Sequence, residues 1–462
     1  MIETDSLVPE IELKARDYIS QGYQRLLTYE VDGGGFEWFG ETPAHFVLTS
    51  YGLLEFVDMA EVYEVDPDII TRTAKWMVSL QESDGSFKPT SGGIPEGAIN
   101  NFENSVLRTT AYGAWALARA EKEDSARSKA VTYLESHADE ATDNYSVAMT
   151  AMAILMNEGS TTVIDTLIDK LVDSKVEDEK GAVHWSQDVQ TETYSSGSSA
   201  DIETTALIGL LLIQRGGHTT LVQQILSWIT GQKDSFGNWQ TTQGTVLALR
   251  FMIESLQAEA SETNATVTVS ANGGTTTTIE ITPETSDILS LVDLKEDLIY
   301  GKNTVDITFS GTGQMMYQAV STWYVPGENA QSQGPLSIDV TYDKTELKVN
   351  DTVGVEVKVT NTSAEGVSVI LASIGLPPGF TLIPDQLETA VADGTYLQKY
   401  ETTPRQIIFY INHIAAGNTA TFNYELLADY PMNGSTGESS VNPYYTPLDK
   451  DLNEAQVITV SE

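Results

Sequence analysis

The chain has 462 residues, of which 25 are Lys or Arg and 66 are Asp or Glu, so its formal net charge is −41. This length exceeds one ordinary hydrophobic core and predicts two to four domains, while the acidic balance argues against binding to nucleic acid or to an anionic membrane. The absence of cysteine excludes disulfides, thiolate metal sites and cysteine nucleophiles in this chain. No apolar run approaches the roughly 18 residues of a membrane-spanning helix, so we expect no direct membrane insertion.

Apolar residues follow helical spacing from the start of the chain to about residue 258. Several of these stretches are apolar around most of the helix, so they should be buried on two sides. Short loops between them predict antiparallel neighbours. The predicted helices cover about 9–30, 44–62, 66–82, 104–121, 124–138, 143–157, 160–174, 200–214, 218–231 and 241–258.

Two distant helices end in similar sequences, "LQESDGSFKP" (80–89) and "GQKDSFGNWQ" (231–240). In each, the glycine is predicted to take a left-handed turn and the following aromatic to insert between helices. The shared residues are Trp76, Gln81, Gly85 and Phe87 in the first copy, and Trp228, Gln232, Gly237 and Trp239 in the second.

Looser copies of this pattern occur at 31–40 and 179–187. Repeated helical hairpins bury their apolar faces only by stacking on one another, so the pattern favours an α/α toroid. A plainer interpretation stays open, because glycine followed by an aromatic is also a common way to end a helix.

After residue 258 the sequence pattern changes from helical spacing to the alternation typical of β-strands. Alternation around Asn272-Gly273-Gly274 predicts a hairpin, and the segments 303–311 and 316–325 continue with the same period of two. Residues 324–336 are typical of a linker, and several short strands after them predict a β-sandwich. The predicted fold class is therefore multidomain α and β, an α/α toroid followed by two antiparallel β domains.

Three enzyme classes share the toroid shape, and none is favoured here. Terpene cyclases need a D-x-D-D cluster, which the stretch at Asp66–Ile69 lacks, and prenyltransferases bind zinc through a cysteine. Toroid glycosidases need two opposed carboxylates. In a chain with 66 acidic residues such a pair can always be proposed, so it does not distinguish this class. The five histidines show no metal-ligand spacing, and His184 beside Trp185 is interpreted as structural. We therefore expect no enzyme activity, and no catalytic, cofactor-binding or metal-binding residues.

Long blocks of the chain resemble the C-terminal region of α2-macroglobulin and its complement relatives, the thioester protein family. The matching blocks include residues 9–41, "WMVSLQESDGSF", "AVHWSQ", and "WITGQKDSFGNWQTTQGTVLAL" (228–249). In the last part of the chain, "IGLPPGFTLIPDQLE" (374–388) and "NPYYTPLDKDLNEA" (442–455) also match.

The resemblance implies three domains. These are a thioester-type toroid over 1–258, the C-terminal part of a CUB β domain over 259–330, and a receptor-binding-like macroglobulin sandwich over 333–462. The family's chemistry depends on a Cys–Gln thioester in a G-C-G-E-Q motif, which this chain lacks. We expect either a fragment of a longer protein or a member that lost the reaction. A fragment is favoured because the start is neither a signal peptide nor a domain beginning, and a first toroid helix and part of the CUB domain are missing.

The resemblance also suggests one site residue, Glu96, which matches the position of the family's thioester-assisting His or Asn. A carboxylate cannot form the acyl-imidazole that a histidine forms, and a solvated loop residue is the plainer interpretation. In vertebrate relatives, lysines on a helix of the last domain engage a clearance receptor. The matching residues 381–398 contain no lysine here, so that contact is not expected.

The function implied is the C-terminal part of an extracellular protease-trapping inhibitor. Its partners would be proteases and the macroglobulin domains upstream, with no nucleic acid. An extracellular or cell-surface location is expected, with any membrane anchor in the missing region. The alternative is a non-inhibitory cell-surface or adhesion protein that uses the same scaffold.

Overall fold

The computed structural model describes residues 9–31, 33–90, 105–233, 237–259, 263–285, 290–313, 315, 317, 319–321, 334–447 and 449–462. Ten helices occupy the part of the chain before residue 260 that the structure describes. They are α1 (Pro9–Leu27), α2 (Phe46–Ala60), α3 (Pro67–Ser79), α4 (Val106–Arg119), α5 (Asp124–Ser136), α6 (Asn144–Met156), α7 (Thr161–Ser174), α8 (Gly197–Arg215), α9 (Thr219–Gly231) and α10 (Thr242–Glu259). Two short hairpins connect them, β1 (Glu30–Val31) with β2 (Gly35–Phe36), and β3 (Val176–Glu177) with β4 (Val183–His184).

The helices form two concentric layers. The even-numbered helices α2, α4, α6, α8 and α10 pack side by side in that order as an inner layer. The outer helices α3, α5, α7 and α9 each pack on an inner helix and bury only one face, as α7 does with Ile164, Leu167, Ile168 and Leu171. Because an outer helix returns the chain between successive inner helices, the inner helices run parallel. Alanine-rich α4 and α6 are buried on almost all sides, as their sequences predict.

A threonine on an inner helix anchors the aromatic residue that precedes it in four of the described hairpins. The backbone N–H of Phe36, Phe87, Trp185 and Trp239 donates to Thr49, Thr110, Thr205 and Thr245 at 2.8, 2.9, 3.1 and 2.9 Å. All four aromatic side chains are buried. The aromatic residues that end the repeated sequences are therefore core anchors, held by a polar contact that the sequence pattern alone did not reveal.

The two buried tryptophans also close the ends of outer helices. The indole N–H of Trp185 donates to the Leu171 carbonyl at 2.7 Å, and that of Trp239 to the Ile229 carbonyl at 2.6 Å. These carbonyls lie in the last turns of α7 and α9, where carbonyls lack a helical partner. Gly85 precedes Phe87 with φ +94°, and a Cβ there would lie 2.3 Å from the Lys129 carbonyl oxygen. Glycine is thus required at this turn.

Replacing one of these threonines should destabilise the toroid measurably. We expect Thr205→Val to lower the free energy of unfolding by about 1–3 kcal/mol, because the Trp185 N–H then stays buried without an acceptor. The matched control is the next residue, Thr204, which is equally buried but whose hydroxyl has no partner among the described residues. Thr204→Val should be neutral or stabilising. Urea unfolding of both variants measures the difference, and equal effects would contradict the anchoring role.

A three-stranded antiparallel sheet follows the toroid, in the order β6–β5–β7. Its strands are β5 (Asn264–Ala271), β6 (Thr277–Ile281) and β7 (Val305–Thr312). One face is apolar and the other polar, as the period of two predicts. On the apolar face, Val267 of β5 pairs with Ile279 and Phe309 on either side, and Phe309 stays 37% exposed. The sheet therefore leaves part of its apolar face open.

The rest of the chain forms a β-sandwich. One sheet has the order β12–β15–β10–β8 and the other β13–β14–β11–β17–β18, with a small sheet β16–β19–β9 beside them. The strands are β8 (Leu336–Tyr342), β9 (Glu346–Lys348), β10 (Thr352–Asn361), β11 (Val367–Gly375), β12 (Phe380–Ile383), β13 (Leu397–Thr402), β14 (Gln406–Ile414), β15 (Thr419–Ala428), β16 (Met432–Ser435), β17 (Ser439–Pro443), β18 (Asp451–Asn453) and β19 (Val457–Ser461). Helix α11 (Asp385–Asp393) joins β12 to β13. Alternate residues of β10 fill the core, as a half-buried strand requires.

The predicted fold class, a helical toroid followed by antiparallel β domains, is confirmed. The predicted helix at 200–214 begins earlier, at Gly197, because Ser196 adopts the extended backbone that precedes a helix. The predicted strand at 316–325 is wrong for the described residues 317 and 319–321, which are not in a strand. A strand needs a neighbour for its backbone groups, and no described strand pairs with these residues. Within the described residues, no helix is long and apolar enough to cross a bilayer.

Candidate functional site

The loop that precedes α8 is the most elaborate feature of the toroid. Residues 187–196, here called the 187–196 loop, connect β4 to α8 and contact the N-terminal ends of several inner helices. Six consecutive members, Gln190 to Ser195, are buried although they are polar or aromatic. Gln187 accepts a hydrogen bond from the backbone N–H of Tyr145 at 3.2 Å, which attaches the loop to α6. A polar loop that is buried and cross-linked in this way holds a fixed shape.

A buried ion pair fixes the loop to α4. Arg108 is 2% exposed and its Nε lies 3.4 Å from a carboxylate oxygen of Glu192, itself 1% exposed. The Arg108 guanidinium also donates to the Gln190 carbonyl and lies 5.3 Å from the Tyr145 ring centre. The other Glu192 oxygen accepts from the Thr109 hydroxyl at 2.7 Å. Removing either charge would leave the other buried without compensation.

A second buried carboxylate holds the loop to α8. Glu203 accepts hydrogen bonds from Thr193 at 2.6 Å and from Thr191 at 3.1 Å. Burial raises the pKa of Glu203, while the hydrogen bonds from the loop and the charge of Arg108 oppose that rise. Two glutamates and one arginine thus form the buried framework of the loop.

This framework presents Tyr194 in an unusual backbone conformation. Tyr194 has φ +69°, which is rare for a bulky aromatic residue and is retained where surrounding contacts enforce it. Its hydroxyl lies 3.3 Å from Nε2 of His45, the residue that precedes α2. Trp38 packs on the His45 ring at 4.7 Å between centres and on Tyr194 at 5.9 Å. The toroid therefore displays a three-ring surface, Trp38, His45 and Tyr194, here called the aromatic seat.

The sandwich places Tyr445 on the aromatic seat. The Tyr445 ring lies 5.6 Å from that of Tyr194 and 5.1 Å from its own neighbour Tyr444. Burial raises the pKa of the Tyr445 hydroxyl, and a hydrogen bond with Trp38 opposes that rise. Tyr445 follows β17 and belongs to the "NPYYTPL" block, so the toroid and the sandwich meet through one of the stretches that carry the family resemblance.

A charged contact lies beside the aromatic one. Arg25 at the end of α1 pairs with Glu401 of β13 at 3.1 Å. Lys399, on the same strand, pairs with Glu401 at 3.0 Å and lies 5.4 Å from the Phe39 ring centre. A cleft of about 540 Å³ opens here, and its other lining residues include Thr28, Tyr29 and Thr402. Exposed ion pairs of this kind contribute only about 0–1 kcal/mol each, so the aromatic contact should dominate the docking.

The arrangement is suited to holding two domains together. Its carboxylates, Glu192 and Glu203, are buried and accept hydrogen bonds from threonine hydroxyls. In the described part of the chain, no three His, Asp or Glu side chains cluster in a way that could hold a metal ion. The site is a contact surface supported by a rigid loop.

The sequence-predicted site residue, Glu96, lies outside the described residues, and its suggested role stays a prediction. His184, interpreted as structural, stacks on Trp228 with ring centres 4.7 Å apart. Sequence reasoning missed Arg108, Glu192 and Glu203. A signal for two of them existed, because Arg108 and Glu203 are charged residues within stretches that are otherwise apolar, threonine- or alanine-rich.

Glu55 of α2, a helix of the inner layer, is a separate titratable group. Burial raises its pKa to about 7 and the nearby Asp58 adds to the rise, while a hydrogen bond from Tyr51 works against it. Since the folded state then holds a proton that the unfolded chain releases near pH 4.5, stability should fall as pH rises from about 4.5 to about 7.

We expect Glu55→Gln to remove this part of the pH dependence. Between pH 5 and pH 7.5, the free energy of unfolding of the wild-type toroid should fall by about 1–3 kcal/mol more than that of the variant. This range allows for partial exposure of the Glu55 side chain. Urea unfolding at both pH values measures the difference. Glu82→Gln, at an exposed ion pair with Lys88, is the control and should follow the wild type. Parallel curves for Glu55→Gln and wild type would show that Glu55 is not protonated in the folded state.

Comparisons with known proteins match both halves of the chain. The model of the A-macroglobulin TED domain matches residues 1–254, and the model of the A-macroglobulin receptor binding domain matches residues 365–455. Ovostatin from Gallus gallus is 22% identical over 446 residues, which is 93% of this chain and 30% of ovostatin. The chain thus spans about a third of the length of this curated relative.

Solved structures show the same fold. Native alpha-2-macroglobulin from Escherichia coli, in a structure spanning domain MG7 to the C-terminus, superimposes with a TM-score of 0.67 at 17% identity. The match covers 97% of this chain and 68% of that one. Salmonella alpha-2-macroglobulin reacted with methylamine also gives a TM-score of 0.67, at 16% identity, and covers 100% of this chain and 28% of that one. At these identities the likeness establishes the fold.

Proposed function

Because the chain belongs to the A-macroglobulin family, we propose that it is the C-terminal part of a protein that traps proteases. In this proposal the toroid and the sandwich are two bodies of a larger assembly, and further macroglobulin domains lie upstream of them. The complete protein would act outside the cell or at its surface, where foreign or released proteases are met.

One observation supports this proposal most directly, the aromatic and charged contact between the toroid and the sandwich. A single sandwich side chain, Tyr445, occupies the aromatic seat, and the surrounding contacts are ion pairs such as Arg25 with Glu401. We propose that this contact holds the two domains in register and separates during trapping. The open apolar face of the β6–β5–β7 sheet agrees with a domain that is completed by other strands, as the CUB assignment implies.

The proposed mechanism uses that separability. Cleavage of an exposed segment elsewhere in the complete protein would release strain, the toroid would leave the sandwich, and the domains would close around the protease. The 187–196 loop would keep its shape through this change, because its contacts lie within the toroid. The contacts that break would be those that the sandwich makes with the aromatic seat and with the charged residues beside it.

We propose that these residues catalyse nothing themselves. A thioester needs a cysteine, and the chain contains none, so covalent capture would require residues outside these 462. Helix α11 carries Asp385, Glu388 and Asp393, and residues 381–398 contain no lysine. A receptor that recognises lysines on this helix is therefore not proposed as a partner.

The complete polypeptide tests this function. It would be incubated with a panel of endopeptidases, and the residual activity measured on a large protein substrate and on a small peptide substrate. Enclosure predicts that cleavage of the protein substrate falls at least tenfold while cleavage of the peptide substrate is largely kept. A matched incubation with this 462-residue chain alone should show neither effect.

Two other outcomes would indicate a different function. Equal loss of both activities would indicate direct blockage of the protease active site. No effect with any protease would contradict trapping and favour the alternative, a non-inhibitory surface or adhesion protein built on the same scaffold.

A further inference from the structure

An open cleft lies where the toroid meets the sandwich, and its walls come from both domains. Its volume of about 540 Å³ lies within the range of about 300–1,000 Å³ that is typical of sites for small molecules. The lining residues of the toroid are Arg25, Thr28, Tyr29 and Phe39, and those of the sandwich are Lys399, Glu401 and Thr402. A molecule bound here would therefore contact the two domains at once.

The residues that line the cleft carry more positive than negative charge. Arg25 of the toroid and Lys399 of the sandwich converge on Glu401, at 3.1 and 3.0 Å. Two cations thus share one carboxylate, and one positive charge is left in excess. This excess stands out in a chain with 25 basic and 66 acidic residues. An anion would be attracted to the cleft, whereas the net charge of −41 would repel it elsewhere.

The single carboxylate of the cleft is already occupied. One Glu401 oxygen is held by Arg25 and Lys399. The other accepts a hydrogen bond from the Tyr410 hydroxyl at 3.3 Å. Glu401 also has the least exposed side chain of the three charged residues, at 27% against 36% for Lys399 and 62% for Arg25. The charged groups that face solvent in the cleft are therefore mainly the two cations.

The polar groups that stay available in the cleft are hydrogen-bond donors. The Tyr29 hydroxyl accepts from Nε of Arg25 at 3.0 Å, so its own hydrogen is available to another acceptor. Nη1 of Arg25 and the exposed hydroxyl of Thr402 form no hydrogen bond with another described residue. The ammonium group of Lys399 has three hydrogens and one carboxylate partner among the described residues. A ligand with several acceptor oxygens would satisfy these donors.

We propose that this cleft binds a small anion that carries several carboxylate or phosphate oxygens, and that the anion bridges the toroid and the sandwich. Arg25 and Tyr29 would donate hydrogen bonds to it from the toroid, and Lys399 and Thr402 from the sandwich. Charge-assisted hydrogen bonds of this kind are stronger than those between neutral groups. Because the complete site exists only when the domains are docked, the anion would favour the docked state by the same factor by which docking favours its binding.

Two probes, citrate and inorganic phosphate, test the cleft on the 462-residue chain. Each would be titrated by calorimetry at constant ionic strength, with sodium chloride as the reference salt. We expect saturable binding of one anion per chain, and the tighter probe identifies whether carboxylate or phosphate oxygens are preferred. If neither probe gives more than the response to chloride, the proposal is wrong.

One variant in each domain tests whether both cations hold the anion. Arg25→Met and Lys399→Met should each weaken binding of the tighter probe about tenfold or more, because each removes a charge together with its donors. Arg215→Met is the matched control, since it also breaks an exposed pair of an arginine with a carboxylate, that of Asp165, but does not line the cleft. It should leave the affinity unchanged, and a loss equal to that in the other two variants would overturn the assignment.

Glu401→Gln separates anion binding from a purely structural role of the ion pairs. The variant removes the carboxylate that competes for Arg25 and Lys399, so the affinity for the probe should rise about threefold or more. If the two cations serve only to hold Glu401 and dock the domains, the same variant should weaken the cleft instead. Weaker binding in Glu401→Gln would therefore overturn the proposal.

Hydrogen–deuterium exchange tests the bridge between the domains. A saturating concentration of the tighter probe should slow exchange both at residues 25–29 and in β13. Protection confined to one domain would contradict a bridging anion. The site requires only the docked domains and no protease, so failure here and failure of the proposed function are distinguishable.

Discussion

Arg108→Met should destabilise the toroid by about 3–5 kcal/mol, the largest effect expected for a single substitution in this chain. Methionine fills similar space but removes the positive charge that pairs with Glu192, and both residues are almost fully buried. It also removes a positive charge that opposes the burial-driven rise in the pKa of Glu203. The measurement is urea unfolding followed by tryptophan fluorescence, with the toroid transition fitted separately from that of the sandwich.

Two further variants separate loss of charge from loss of shape. Arg108→Met combined with Glu192→Gln should recover part of the lost stability, since no unpaired charge then remains at that pair. Arg215→Met breaks an exposed pair with Asp165 and should cost less than about 1 kcal/mol. A cost for Arg108→Met as small as that of Arg215→Met would contradict the assignment of Arg108 to the framework of the 187–196 loop.

Tyr445→Ala should undock the sandwich from the toroid. The Tyr445 ring contacts the Tyr194 ring of the aromatic seat, and loss of a central aromatic anchor typically costs about 2–4 kcal/mol of association free energy. That loss corresponds to a shift of about 30- to 900-fold in the docking equilibrium. Hydrogen–deuterium exchange of the segments around Trp38 and Tyr445 should rise in the variant, whereas exchange of buried α6 should not change.

The control for Tyr445→Ala is another tyrosine of the sandwich. Tyr430 is 68% exposed and makes no contact with the aromatic seat, so Tyr430→Ala should leave the exchange of both segments unchanged. An increase of equal size in both variants would mean that the sandwich had been destabilised as a whole. Unchanged exchange in Tyr445→Ala would show that the charged contact at Arg25 and Glu401 suffices for docking.

The sequence predicted the helices of the toroid well because their apolar spacing is strong and their lengths are ordinary. The alanine-rich stretch that became α4 is apolar on almost every face, and only an inner helix of a two-layer toroid buries such a surface. The repeated glycine and aromatic residues were also informative, since Gly85 and Gly237 both have positive φ and Phe87 and Trp239 are both buried. In the sandwich, the alternation of apolar and polar residues was enough to predict β10, because one face of that strand is buried.

The candidate site could not be predicted in the same way. With 66 acidic residues in the chain, nothing local distinguishes Glu192, which is buried against Arg108, from acids that are solvated. Pairing of α4 with the 187–196 loop joins residues 84 positions apart, which no local pattern encodes. The positive φ of Tyr194 is likewise imposed by tertiary contacts, because a tyrosine has no intrinsic preference for that conformation.

The most direct test of the central claim measures the distance between the toroid and the sandwich in the complete polypeptide. Fluorescent labels would be placed through noncanonical residues at two exposed positions, Val176 in the toroid and Tyr430 in the sandwich. Energy transfer would be recorded before and after addition of a protease that the protein inhibits. We predict a narrow distance distribution that changes on cleavage and is already broadened by Tyr445→Ala without protease. An unchanged distance in a protein that has inhibited its protease would contradict the claim that this contact is the one that opens during trapping.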